Sequence, residues 1–179
     1  MSRIEITVDD REVLQALTYL AQRMGTPGPA LKLIGETLAE STKQRFAASR
    51  APDGSAWAPN TETTLERHLS VFAGSRTKTG ARSAKGARRA AAKKPLIGET
   101  KALSTTITYQ VVGDTLYVGS PMEYAGTQQF GALRGQYGKT RRGAPIPWGD
   151  IPARPFLGLS DDDRTEVLAV LREHLAAGP

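Results

Sequence analysis

The segment Ile151-Pro152-Ala153-Arg154-Pro155-Phe156-Leu157-Gly158-Leu159-Ser160 restricts the fold more than any other stretch of the chain. Its two prolines fix their own φ and push Ile151 and Arg154 toward extended conformations, so the segment reaches the core as a stiff ribbon. Phe156, Leu157 and Leu159 supply apolar anchors. Ser160, followed by Asp161, Asp162 and Asp163, reads as an N-cap with a carboxylate at N3, which starts a helix at about Asp161. That helix carries Val167, Leu168, Leu171 and Leu175.

Upstream, Ile4, Ile6 and Val8 alternate with Arg3, Glu5 and Thr7, the pattern of a half-buried strand over 3–8. Val13, Leu14, Leu17, Leu20, Ala21 and Met24 recur at helical spacing after Asp9 and Asp10, and Gly25 stops that helix. Leu31, Ile34, Leu38 and Phe46 mark a second helix that ends near Ala48, with Lys32, Glu36, Glu40 and Lys43 facing out. Pro52-Asp53-Gly54 is turn chemistry, and Trp57 just beyond it is expected to plug the core. A short helix is expected over 63–72 through Leu65, Leu69 and Phe72.

Further along, Leu103, Thr105, Ile107, Tyr109 and Val111 alternate up to the turn at Gly113-Asp114, which predicts a hairpin returning through 115–119. Tyr124 and Phe130 are expected anchors of a short helical turn closed by Gly131. Leu133 to Gly143, with Arg134, Lys139, Arg141 and Arg142 among three glycines, reads as an exposed loop, and Pro145-Ile146-Pro147-Trp148 resumes an extended path. The expected fold is a single α+β domain over 1–179: a small, mostly antiparallel sheet packed by about three helices, with a long basic arm and a second exposed loop.

The net charge of +6 is unevenly placed. Nine Lys or Arg and no Asp or Glu lie between Arg67 and Gly98, leaving fifteen bases against eighteen acids elsewhere. Within that run, 74–94 has no large apolar residue, so it is expected as an arm or exposed loop with Arg76, Lys78, Arg82, Lys85, Arg88, Arg89, Lys93 and Lys94 as candidate contacts. Contact with nucleic acid or an acidic protein surface is one reading, and a solvated disordered linker is the other; composition does not separate them. A loop this long also leaves room for ordering against a partner.

No enzyme is expected. The chain has no cysteine, which removes disulfides, thiolate metal sites and cysteine nucleophiles, and His68 and His174 sit in no recognisable ligand or catalytic context. Gly138-Lys139-Thr140 suggests a phosphate loop, but the glycine such a loop needs five residues earlier is Leu133. Asp161, Asp162 and Asp163 could attract a divalent cation, yet acids in a first helical turn are accounted for by the macrodipole. No cofactor or metal is therefore expected. Nor does any run reach the about 18 apolar residues of a membrane span, and the polar start Met1-Ser2-Arg3 predicts an unexported chain.

The ribbon at Ile151–Ser160, together with Tyr124-Ala125 to Gln129-Phe130-Gly131 and Pro52-Asp53-Gly54 to Trp57, resembles the phage virion morphogenesis (tail completion) family of Mu-like phages. The three motifs occur in the family's order and span most of the chain. The proline-arginine-proline element is the most specific, and Gln128 departs from the histidine that the family often has there. The resemblance implies a structural protein of the virion's tail or neck, assembled in the host cytoplasm. It would act late in assembly at the tail's head-proximal end and work as a ring of its own copies beside neighbouring neck or tail proteins.

In that setting Trp57, Tyr124, Phe130, Arg154 and Phe156 are candidate subunit-interface residues or core anchors, and the arm is a candidate contact for a neighbour or for DNA. Arg154, held between prolines, is expected to make a specific contact, in contrast with Arg82 in the flexible run. The alternative is a nucleic-acid-binding accessory protein that uses the arm.

Overall fold

The computed structural model describes residues 27–176, together with Gln22 and Gly25. The strand expected over 3–8 and, Gln22 apart, the helix expected over 13–24 lie outside them.

Helix α1 spans Gly28–Ala48, with proline in its first turn, where the missing N–H costs no hydrogen bond. It ends at Ser49, which adopts the left-handed conformation (φ 55°). Its inner face carries Ala30, Ile34, Gly35, Ala39, Thr42, Arg45 and Phe46, and on it the rest of the body is laid. Strands β1 (Thr108–Val112) and β2 (Thr115–Gly119) form an antiparallel hairpin in which Tyr109 faces Val118 and Val111 faces Leu116. Gly113 (φ 58°) opens the two-residue turn, the position where such hairpins need a positive φ. The hairpin can lie close across α1 because residue 35 is glycine: a Cβ there would stand 2.4 Å from the Tyr109 ring.

Helix α2 spans Glu62–Ser70, capped by Thr61, whose hydroxyl accepts from the Thr64 N–H. Helix α3 spans Ala84–Ala92 and packs against α2. The short helices α4 (Ala102–Thr105) and α5 (Ala125–Phe130) flank the hairpin, and α6 (Asp161–Ala176) lies against α1. The α+β class holds: among the described residues the expected helices α1, α2 and α6 are present, joined by α3, α4 and α5. The hairpin begins later than its alternation predicts: Leu103 sits in α4 and reaches the core from there, and strand geometry starts at Thr108.

Phe46, Trp57, Leu103, Ile107 and Phe156 form the centre of the core with Ala39, Ala51 and Ala125. Phe46 meets Trp57 edge-on and Phe156 at a tilt, each at 5.3 Å between ring centroids, both favoured aromatic geometries. Trp57 is thus the plug its position predicts.

Residues 74–94 are exposed over much of their length, as expected, but they are folded, and Ser75 and Gly86 are buried. Arg76 and Arg82 face each other in an antiparallel bridge, and Ser83 caps α3 by accepting from the Gly86 N–H at 3.0 Å. The second exposed loop is ordered as well. Bridges Ala132–Ile151 and Lys139–Pro145, with hydrogen bonds from Tyr137 N to Ile146 O and from Ile146 N to Gly138 O, both 2.8 Å, make residues 132–151 an irregular hairpin, here called the finger. Arg141 and Arg142 form its tip.

Candidate assembly surface

Four side chains hold the Ile151–Ser160 ribbon, and together they fix where the finger leaves the body. Gln129, on α5, acts as a substitute strand. Its side-chain oxygen accepts from the N–H groups of Phe156 (2.9 Å) and Leu157 (3.0 Å), and its amide nitrogen donates to Leu157 O at 3.0 Å. The indole N–H of Trp57 donates to Pro155 O at 2.7 Å.

Arg154 is 7% exposed, and its guanidinium donates to Ala58 O and Pro59 O, both at 2.8 Å. Burial lowers its pKa from the ordinary arginine value. The specific contact expected of Arg154 therefore exists, and it is internal, tying the ribbon to the loop after Trp57. Gln128 contributes through its backbone, where its carbonyl accepts from Arg154 N at 2.8 Å.

The fourth side chain is Arg45 of α1, which sequence reasoning missed. It donates to Phe156 O and Gly158 O, both at 2.9 Å, and pairs with Asp163. Asp163 also closes the cap of α6: Ser160 Oγ accepts from Asp163 N at 3.1 Å while Asp163 Oδ2 accepts from Ser160 N at 2.8 Å. Burial alone would raise the Asp163 pKa; hydrogen bonds from Ser41 and Ser160 and the charge of Arg45 outweigh it and hold the carboxyl below the ordinary aspartate value.

Of the expected anchors, Trp57 and Phe156 are core residues, and Phe156 is wholly buried. Tyr124 and Phe130 are not. They are 47% and 81% exposed, because α5 turns Ala125 and the half-buried Gln129 inward and leaves the two aromatics facing away. Phe130 sits at the root of the finger, and the finger itself carries Leu133 (70% exposed), Trp148 (77% exposed) and the half-exposed Tyr137, whose hydroxyl shares a 3.0 Å hydrogen bond with Thr127 of α5. Large apolar side chains left exposed on one short ordered segment and at its root mark a contact surface more often than a solvated one. Four bases, Arg134, Lys139, Arg141 and Arg142, accompany them, and no acid occurs between Ala132 and Gly149. A cleft of about 910 Å³ separates the finger root from α2, with Tyr124, Gln128, Trp148 and Arg154 among its walls.

The arm uses much of its charge internally. Arg76 pairs with Glu66, and Arg82 pairs with both Glu62 and Glu66. Arg89 lies 4.8 Å over the Phe72 ring and donates to Ala73 O and to Ser75 Oγ, while Lys93 and Lys94 donate to Ile97 O and Ala47 O. Lys78, Lys85 and Arg88 are exposed and have no such partner. Arg82 is therefore a held residue, not a flexible one, since α2 presents two carboxylates one turn apart to receive it.

A sequence model of the phage virion morphogenesis family matches residues 8–176. The Mu-like prophage FluMu G protein 2 of Haemophilus influenzae is 27% identical over 172 residues, covering 96% of this chain and 95% of that protein. No solved structure matches.

Proposed function

The chain belongs to the phage virion morphogenesis family, and we propose that within it this protein completes the tail or joins head to tail, acting at the neck as a ring of identical subunits. It works by binding, without catalysis, and its partners are its own copies and the neighbouring neck or tail proteins of the virion. A role in building the phage particle follows from the family itself; the position at the neck and the ring are this proposal.

The observation that carries it is the finger: an ordered hairpin that, with Phe130 at its root, leaves Phe130, Leu133, Tyr137 and Trp148 exposed beside four bases. A solitary chain gains nothing from holding large apolar groups in water, whereas a subunit in a ring needs two different complementary patches. The finger supplies one. The alternative, a nucleic-acid-binding accessory protein, rests on three free arm cations instead of eight.

Disrupting the gene in the phage that carries it, and complementing with the wild-type chain or with Leu133→Glu/Trp148→Glu, tests the proposal. Micrographs of lysates are expected to show filled heads and tails unjoined with the double variant and joined with the wild type. Normal virions from the double variant would remove the finger from assembly. Loss of DNA retention with joining intact, on replacing Lys78, Lys85 and Arg88 by alanine, would favour the alternative.

A further inference from the structure

Given the ring reading above, on which this rests, we infer that the finger of one copy docks lengthwise on α6 of the next copy. Two observations point to a second copy as the occupant. Outside the arm and finger, the remaining twelve bases of the chain stand against seventeen of its eighteen acids, so the body complements the finger in charge.

The order of groups along the two elements also matches. At the root of the finger lie apolar groups (Phe130 at its edge, Leu133, Trp148) with the single base Arg134, and at the tip the paired bases Arg141 and Arg142. On α6, Asp161 and Asp162 are exposed in the first turn, and Leu168, Leu171 and Leu175 are exposed further along, at 50%, 36% and 41%. Among the described residues these leucines take no part in the buried core. The inward line of α6 is Asp163, Val167, Val170 and His174, each buried or half-buried.

The lengths agree. From Asp161 to Leu175 the helix rises about 21 Å, and from Leu133 to Arg141 the finger spans at most about 26 Å. Tip and root can therefore both be engaged: Arg141 and Arg142 on Asp161 and Asp162, and the aromatic root over the leucines. The contact joins unlike surfaces, so it propagates from copy to copy and closes only by rotation.

A charge swap tests this on the full chain, read by the mass from light scattering across a concentration series. Arg141→Glu/Arg142→Glu in the finger and, separately, Asp161→Lys/Asp162→Lys in α6 are each expected to raise the concentration for half-assembly by about tenfold or more. All four substitutions together are expected to restore assembly. A combined variant that folds but does not assemble overturns the inference, as do single-site variants that assemble like the wild type.

Because lysines at a helix N-terminus also weaken the helix, Leu171→Glu, far from the cap, provides an independent arm. It is expected to block assembly with an unchanged circular dichroism spectrum, and unaltered assembly counts against the docking. A wild-type chain that stays monomeric throughout removes the ring itself. Rings that ignore every substitution remove only this interface. If Arg141→Glu/Arg142→Glu abolishes duplex DNA retention while the mass is unchanged, the finger is a nucleic-acid contact and the inference fails.

Discussion

Arg45 and Asp163, 118 positions apart in the chain, form an ion pair whose side chains are 8% and 4% exposed. The pair fastens the last helix to the first described one, and through Arg45 it also holds the carbonyls of Phe156 and Gly158. Breaking one side of a buried pair leaves the other charge uncompensated. Asp163→Ala is therefore expected to destabilise the fold by about 3–5 kcal/mol, measured by urea denaturation.

The same carboxylate sets an acid limit. Its folded pKa lies below the unfolded value, so its contribution is complete above the ordinary aspartate range and is lost as pH falls through the folded pKa. Stability should fall on acidification below about pH 4. The fall should be shallower in Asp163→Asn, which has nothing to titrate at that position; unfolding midpoints compared at pH 7 and pH 3 check it.

Arg154→Ala removes two part-buried hydrogen bonds from a charged donor to the carbonyls of Ala58 and Pro59 and is expected to cost about 2–4 kcal/mol. Arg88→Ala should stay within about 0.5 kcal/mol of wild type, since Arg88 is exposed and unpaired. Equal costs for the two would show that the ribbon's hold on the Ala58–Pro59 loop contributes little.

Gln129→Leu keeps the bulk of the side chain and strands two backbone N–H groups and one carbonyl of the ribbon. An expected loss of about 2–4 kcal/mol should come with faster amide exchange at Phe156 and Leu157. Protection unchanged at both amides would contradict the substitute-strand role.

The two tryptophans report separately. Trp57 is 6% exposed and Trp148 77% exposed. The Trp148→Phe variant should emit from a shielded indole that acrylamide barely quenches, and Trp57→Phe from an indole that is readily quenched. If the finger is covered in the assembled ring, quenching of Trp148 should drop on assembly.

Glu66→Ala removes the carboxylate shared by Arg76 and Arg82. The arm should then open more often than the body unfolds, so trypsin should cut between Arg76 and Lys94 several-fold faster while the main unfolding midpoint moves little. Cleavage as slow as wild type would mean that the Arg82–Glu62 pair and the contacts of Arg89 with Phe72 and Ser75 hold the arm without Glu66.

Local chemistry was legible in the sequence; distant pairing was not. The cap at Ser160 and its carboxylate three residues on sit within one turn, so their spacing announces them. Nothing near Arg45 names its partner at 163, and the carbonyls that receive Arg154 leave no mark in the sequence, since every residue has one. The arm misleads for another reason. Its lack of large apolar residues does rule out a core, but Ser83 followed by an alanine-rich run is a capped helix by propensity, and the charges that hold it come from Glu62 and Glu66. Tyr124 precedes and Phe130 ends a helix too short for periodicity to say which way they face.

Gly131 limits how the gene can drift. It has φ 75° and ψ 178°, a backbone state that side chains rarely adopt, and a Cβ there would lie 2.7 Å from Ile151 O and 2.8 Å from Ala153 N. Every single-nucleotide change that alters a glycine codon either brings in a Cβ or stops translation. The hinge between α5 and the finger thus has no neighbouring allele to pass through, unless the backbone at 151–153 has first moved aside.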